Sequence, residues 1–182
     1  MRILIAIVGL LVVLPGMARA LINVGAVDTP SIDVEVVGGL AYVAGGSGLR
    51  VIDVSNPTLP VEVGALDTPG NARGVDVVGD LAYVADSSFG GGGLRVIDVS
   101  NPMLPVEIGA LDTPGGGMDV EVVGEFAYLA ANSAGLRVID VSNPTLPVEV
   151  GALVDTAGAA QAVRAVQVVG DLAYVVDGSF GL

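Results

Sequence analysis

The chain has no cysteine, no histidine and no lysine, and only seven of its 182 residues are aromatic. Without these side chains it has no imidazole base, no thiolate nucleophile and no amine for Schiff-base chemistry. The usual protein ligands of zinc and haem are missing for the same reason, and disulfide bonds are excluded. We therefore predict no cofactor and no metal site, which leaves carboxylates as the main catalytic groups available.

Positive charge is also scarce. Seven arginines oppose 20 acidic residues, and the formal net charge is −13. A surface this acidic repels phosphate backbones and anionic lipid headgroups, so we exclude nucleic acid as a partner. With 52% apolar residues and few aromatics, the core is expected to consist mostly of Val, Leu, Ala and Ile.

The first 20 residues have the layout of a secretory signal peptide. Arg2 precedes an unbroken apolar run of twelve residues, and Ala18-Arg19-Ala20 places small residues around a cleavage point. The run is shorter than the roughly 20 residues that span a bilayer. We predict a signal peptide over residues 1–20, a secreted, periplasmic or cell-surface location, and no membrane insertion after cleavage. The alternative is an uncleaved membrane anchor.

The remaining sequence is repetitive. Near-copies of the segment LRVIDVSNP begin at Leu49, Leu94 and Leu136, and a fourth copy would begin at Leu182, so the period is 42 to 46 residues. Repeats of this length, made of β-branched runs separated by Pro, Gly and Asn turns, are typical of four-stranded propeller blades. Many of the runs are apolar on both faces, as expected for sheets packed between neighbouring sheets. We predict an all-β propeller of about three and a half four-stranded antiparallel blades.

The second repeat illustrates the predicted strands. They cover residues 73–79, 81–86, 94–100 and 106–112, with a tight hairpin at Gly79-Asp80 and a loop at the glycine-rich stretch 87–93. The proline of Asn101-Pro102 ends the third strand, because proline has no amide hydrogen to donate.

These repeats divide residues 21–182 into one propeller region. We assign blade 1 to residues 31–69, blade 2 to 70–114, blade 3 to 115–157 and a partial blade 4 to 158–182. Residues 21–30 match the last strand of a repeat and are predicted to form the outer strand of the closing blade. Because blade 4 lacks its third strand, we expect the chain to be a fragment of a longer protein; if it is naturally this short, self-association is expected.

The repeat motif resembles that of the LVIVD-repeat family of extracytoplasmic proteins. The resemblance rests on an apolar strand ending in Gly, an LAYVAD-like strand and then GLRVIDVSNP, found at residues 40–57, 81–102 and 126–144. It implies a β-propeller on an exported or surface protein, commonly with no assigned activity.

Acidic residues recur in the first strand of each repeat. Glu35, Asp76 and Glu121 occupy equivalent positions, and Gln167 takes that place in the fourth unit. Since first strands line the axis of a propeller, these three carboxylates could form an axial acidic ring that holds a cation or a basic group of a partner. The alternatives are that they are solvated or paired with Arg50, Arg95 and Arg137.

Two other recurrent sets have mainly structural interpretations. Asp53, Asp98 and Asp140, each three residues before an Asn, are expected to fix turns by accepting backbone hydrogen bonds rather than to bind calcium. The four tyrosines are expected to pack between blades rather than to recognise carbohydrate; they are Tyr42, Tyr83, Tyr128 and Tyr174.

These observations favour a binding or scaffolding module for an unidentified protein or glycan partner, and we predict no catalytic residues. The alternative hypothesis is a carboxylate-dependent polysaccharide hydrolase or lyase whose active site lies partly outside this segment.

Overall fold

The computed structural model describes residues 31–88, 91–154 and 162–178, and these residues form only strands, turns and irregular connections. The first sheet contains β1 (Ser31–Val37), β2 (Leu40–Gly45), β3 (Gly48–Asp53) and β4 (Val61–Asp67). The second contains β5 (Asn71–Val78), β6 (Leu81–Ser88), β7 (Gly91–Asp98) and β8 (Val106–Asp112). The third contains β9 (Asp119–Val123), β10 (Phe126–Ala130), β11 (Leu136–Asp140) and β12 (Val148–Leu153), and the last pairs β13 (Val163–Val169) with β14 (Leu172–Asp177).

Each sheet is an antiparallel meander in which the strands follow one another in chain order. The arrangement is an open, incomplete propeller, and the prediction of an all-β propeller with four-stranded blades is confirmed. Each sheet lies within the blade range assigned to it from the sequence. The predicted signal peptide at residues 1–20 and the predicted closing strand at 21–30 lie outside the described residues.

The hydrophobic core lies between successive blades. Leu49 and Val51 of the first blade belong to one buried cluster with Val84 and Ile97 of the second. A second cluster joins Leu94 and Val96 of blade 2 to Leu129 and Ile139 of blade 3, and a smaller one joins Leu136 to Val163 and Val166. Because the second and third sheets bury residues on both faces in this way, their central strands are nearly continuous apolar runs.

Recurrent glycines on the outer strands let neighbouring blades approach closely. A Cβ atom on Gly64 would lie 2.0 Å from the carbonyl oxygen of Pro102, and one on Gly109 would lie 2.1 Å from that of Pro144. The Asn-Pro loop of each blade therefore sits directly on the outer strand of the blade before it. The equivalent Gly151 has only Val138 atoms of its own blade within 4 Å of such a Cβ, the nearest at 3.6 Å.

The glycine-rich stretch differs from its prediction as a loop. β6 continues through Ser88 and β7 begins at Gly91, with Ser87 paired to Gly92 and Ser88 paired to Gly91. Glycines here allow close backbone contact, since a Cβ on Gly93 would lie 2.2 Å from the Leu111 oxygen. The β6–β7 hairpin is thus longer than predicted, and only residues 89–90 at its tip lie outside the described residues.

The tyrosine prediction is confirmed for two positions and wrong for a third. Tyr42 and Tyr83 are buried, with 5% and 4% of their surfaces exposed, and Tyr128 is half-buried at the edge of the third cluster. Tyr174 is 56% exposed, because no further described sheet packs against β14.

The strand order gives the propeller two distinct faces. Hairpins such as Gly79-Asp80, where Gly79 has a φ of 62°, and the Asn-Pro loops lie on one face. The β2–β3 and β6–β7 hairpins and the connections between blades lie on the other, which we call the connection face. Within residues 31–88, 91–154 and 162–178 no helix is long and apolar enough to cross a membrane.

Candidate functional site

The acidic residues of the inner strands join one blade to the next. Alternate residues of a strand point to the same side, so the two carboxylates of β1 both reach β5. Asp33 Oδ2 accepts a hydrogen bond from Val75 N at 2.9 Å, and Glu35 accepts one from Val77 N. Inner strands of neighbouring blades do not pair as a sheet. Their free amides are satisfied by these carboxylates instead, which are strong acceptors.

The same contacts recur around the axis. Asp76 Oδ2 accepts from Val122 N at 2.5 Å, and Glu121 Oε2 accepts from Val168 N at 2.6 Å. Asp119 Oδ2 accepts from Val166 N at 2.9 Å. At the position equivalent to Asp33 and Asp119 the second blade has Gly74, where a Cβ would lie 2.7 Å from the Cα of Asp119. The second and third blades therefore approach too closely for a carboxylate there.

Burial and mutual repulsion shift the acidity of this row. Burial is the main cause that raises the pKa of Glu35 to about 7, and the charge of Asp76 adds to it, while the bond from Val77 N acts in the opposite direction. Burial also raises the pKa of Asp119, opposed by the bond from Val166 N. Like charges brought together in a partly desolvated row favour the protonated form of one member.

The predicted ring residues Glu35, Asp76 and Glu121 do line one surface. Together with Gln167 they border a groove of about 580 Å³ along the inner strands. Each of the three carboxylates accepts a hydrogen bond from an amide of the next blade. The described residues contain no group of three or more acidic side chains placed to hold a metal ion. The ring is thus a set of contacts between blades.

The alternative that these acids pair with arginines is wrong. Arg50 Nη2 lies 2.9 Å from Asp67 Oδ1, and Arg137 Nη1 lies 3.1 Å from Glu149 Oε1. Arg95 Nη2 donates to Asp112 Oδ1 at 2.7 Å. The arginine side chains therefore link the third and fourth strands of their own blades, away from the axis.

The recurrent Asp residues before the Asn-Pro loops form turns, as predicted. The Oδ1 atoms of Asp53, Asp98 and Asp140 accept hydrogen bonds from the amides two residues later, at 2.8 to 2.9 Å. The hydrogen bonds with those serines lower the pKa of each exposed carboxyl group. Asn56 Oδ1 accepts from Thr58 N at 3.1 Å in the same manner, which is the usual role of Asx residues at turns.

The connection face carries a feature that the sequence interpretation missed, a wholly buried carboxylate at Asp86. Its Oδ1 accepts from Thr68 Oγ1 at 3.1 Å and its Oδ2 accepts from Gly70 N at 3.1 Å. Arg95 Nε lies 3.6 Å from Oδ2. These contacts fasten the connection between blades 1 and 2 onto the second blade.

The third blade lacks this arrangement because Ala131 stands where the second has Asp86. In consequence Thr113 Oγ1 is buried without a hydrogen-bond partner, whereas its equivalent Thr68 Oγ1 donates to Asp86. Asp86 is the last residue of the LAYVAD-like strand, and the signal available in the sequence was that this position varies, because the four equivalent positions hold Gly45, Asp86, Ala131 and Asp177.

A cleft of about 1000 Å³ opens on the connection face, beside this buried network. Its walls come from three blades: the turn at residues 46–47, the connections 68–71 and 113–116, the end of β6 at 87–88, and Asn132. Arg73 also lines it. The walls are hydroxyls, amides and glycine backbone, with Pro69 and Pro114 as their apolar parts. We call this the connection cleft.

Arg73 is the charged residue of the connection cleft, and it too was missed. Its repeat equivalents are Ile32, Met118 and Arg164. Its Nε atom is buried without a hydrogen-bond partner, and no carboxylate in the described part of the chain pairs with it. The Nε atoms of Arg95 and Arg137 are likewise unsatisfied, but those two arginines pair with acids of their own blades. Arg73 differs from them because it lacks an acidic partner within the described ranges.

The fold and its repeat define the chain as a β-propeller module. The LVIVD repeat model matches residues 30–68, 69–113 and 114–156, which is most of the chain. The chain belongs to the LVIVD repeat family.

Among solved structures, the chain is similar to the computationally designed Ika4 protein, at 11% identity and a TM-score of 0.65. The match covers 89% of this chain and 94% of that one. At so low an identity the likeness establishes the fold alone. No curated protein matches the chain significantly.

Proposed function

We propose that this chain is an exported ligand-binding or scaffolding module, secreted, periplasmic or held at the cell surface, which receives a protein or glycan partner in the connection cleft. The observation that carries the proposal is the cleft itself, which is built from three successive blades and lined by polar groups. Sites that specify a ligand are commonly placed on loops held by a rigid scaffold. The lack of His, Cys and Lys also favours binding over catalysis.

The test compares one variant that fills the cleft with one that does not. Asn71 is exposed on the cleft wall, and Leu104 is exposed on an Asn-Pro loop of the opposite face. The purified chain is applied to arrays of glycans and of peptides from exported proteins. We expect Asn71→Trp to lose the signals of the parent chain and Leu104→Trp to keep them. Signals that survive Asn71→Trp, or no signal at all, would refute the proposal.

Export is tested separately. Cell fractionation and N-terminal sequencing of the chain are expected to find it outside the cytoplasm, beginning at Leu21. A product that retains Met1 and remains in the cytoplasmic fraction would contradict this part.

One observation favours a second candidate, a carboxylate-dependent enzyme acting on polysaccharide. Glu35 has a pKa of about 7 and shares a hydrogen bond with Asp76 beside an open groove, and a carboxyl group with such a pKa can act as a general acid at neutral pH. If this candidate is correct, the chain cleaves oligosaccharides and Glu35→Gln lowers the rate by at least about 100-fold. Equal rates of oligosaccharide cleavage by the parent chain and by Glu35→Gln would refute this second candidate.

A further inference from the structure

Arg73 lies at a β-bulge of β5 and lines the connection cleft. The register of β5 against β6 shifts between Ala72 and Gly74, so Arg73 is the extra residue of a β-bulge. Bulges re-aim side chains and occur often beside functional sites. The same bulge recurs on β1 at Ile32 and on β13 at Arg164, so the fold supplies the bulge and the sequence alone supplies a cation in the connection cleft.

The surroundings of Arg73 contain no group that would neutralise it. The lining of the connection cleft includes no carboxylate. The one acid that is buried among the described residues, Asp86, already contacts Thr68, Gly70 and Arg95. In a chain with 20 acidic residues and seven arginines, a half-buried guanidinium without an acidic partner is an unusual placement. An arginine of this kind is suited to a planar anion, which it can contact through two parallel hydrogen bonds.

The rest of the lining indicates what carries that anion. Asn71, Ser87 and Asn132 offer hydroxyl and amide groups, which bind polyhydroxyl ligands by donating and accepting hydrogen bonds. Pro69 and Pro114 supply small apolar surfaces of the kind that the C–H face of a sugar ring can cover. A volume of about 1000 Å³ is far larger than a free inorganic anion needs and suits a short oligosaccharide.

We infer that the connection cleft binds an acidic carbohydrate, a uronate-containing oligosaccharide whose carboxylate pairs with the Arg73 guanidinium. This inference rests on the proposed function and specifies its ligand. The net charge of the protein opposes any anion at long range, but such repulsion between exposed charges is screened beyond about 8 Å at physiological salt. Selectivity therefore depends on the short contact with Arg73.

The experiment uses the full chain and pairs of probes that differ only in charge. Oligomers of galacturonate, glucuronate and alginate are titrated calorimetrically, each beside its methyl ester. We expect at least one acid to bind roughly 10- to 100-fold more tightly than its ester, the range for a hydrogen-bonded charge. Arg73→Gln should abolish this preference, and Arg73→Lys should retain part of it.

Arg164→Gln is the matched control, because Arg164 holds the same repeat position on an exposed bulge outside the connection cleft. We expect it to leave the preference unchanged. Acids and esters that bind equally, an Arg73→Gln variant that keeps the preference, or no binding of any uronate would overturn the inference. A neutral glycan or a peptide whose binding is lost in Asn71→Trp would still uphold the proposed function, so the two failures are distinguishable.

Discussion

Replacing Asp86 with alanine should destabilise the propeller more than any change to an exposed acid. The substitution leaves Thr68 Oγ1, Gly70 N and Arg95 Nε facing an empty site, where they now lie 3.1, 3.1 and 3.6 Å from the carboxylate. Removing one partner of a buried charged network typically costs about 3–5 kcal/mol, because the remaining groups stay buried without a partner. With a urea dependence of roughly 2 kcal/mol per molar, the unfolding midpoint should fall by about 2 M.

Asp112→Asn is the control for this prediction. Asp112 contacts the same Arg95 at 2.7 Å, but its side chain is 68% exposed, so its loss should cost less than about 1 kcal/mol. Asp86→Asn should lie between the two, because it keeps an acceptor for Thr68 and loses the charge facing Arg95. Urea unfolding followed by far-UV circular dichroism measures all three variants. If Asp86→Ala and Asp112→Asn lower the free energy of unfolding equally, the buried network does not hold the blades as argued.

Three further predictions concern pairs of equivalent positions and the acidic row. Gly109→Ala should lower the free energy of unfolding by about 2 kcal/mol or more, because its Cβ would collide with the next blade. Gly151→Ala should change the free energy of unfolding by less than about 0.5 kcal/mol. Equal losses in urea unfolding would contradict the close contact between Gly109 and Pro144. Thr113→Val removes a buried hydroxyl that has no partner and should cost nothing, whereas Thr68→Val should cost about 1–3 kcal/mol; similar losses in both would argue against this difference. The folded state raises the pKa of Glu35 from 4.5 to about 7, so the native protein binds the extra proton and the free energy of unfolding should fall as pH rises from about 4.5 to about 7. Urea unfolding at several pH values should show a weaker pH dependence for Glu35→Gln than for the parent chain. An unchanged pH dependence would contradict the raised pKa of Glu35.

The sequence predicts the repeated parts of the structure well. The strand Val106–Asp112 has its predicted bounds, and the turns at Asp98 and Asn101 use their side chains as predicted. These features depend on residues close in sequence and on a motif that occurs three times in the chain. Local rules of turn chemistry and strand patterning suffice for them.

What the sequence could not give was contact between blades. The repeat predicts that Glu35 lies on an inner strand, but its acceptance of a hydrogen bond from Val77 N depends on how closely two inner strands approach. The glycine-rich stretch 87–93 is predicted as a loop because it is an insertion that the other repeats do not match, while here Gly93 is needed for the close approach to Leu111. Both outcomes follow from long-range geometry, which local patterns do not contain.

The departures from the repeat are the most informative residues for function. A propeller needs its repeated apolar strands and turns, and any position that all the blades share is explained by packing alone. Asp86 and Arg73 differ between blades: the third blade has Ala131 and Met118 in their places, while the fourth unit again has Asp177 and Arg164. In the second blade Arg73 lines the connection cleft, and Asp86 accepts hydrogen bonds from Thr68 and Gly70 of its wall. Asp86 holds the connection between blades 1 and 2, which forms one wall of the connection cleft, and Arg73 lines the cleft without an acidic partner among the described residues. A stabilising contact and an unpaired cation at one cleft are what a specific ligand site requires, since rigid walls reduce the entropy lost on binding and the unpaired charge selects the ligand.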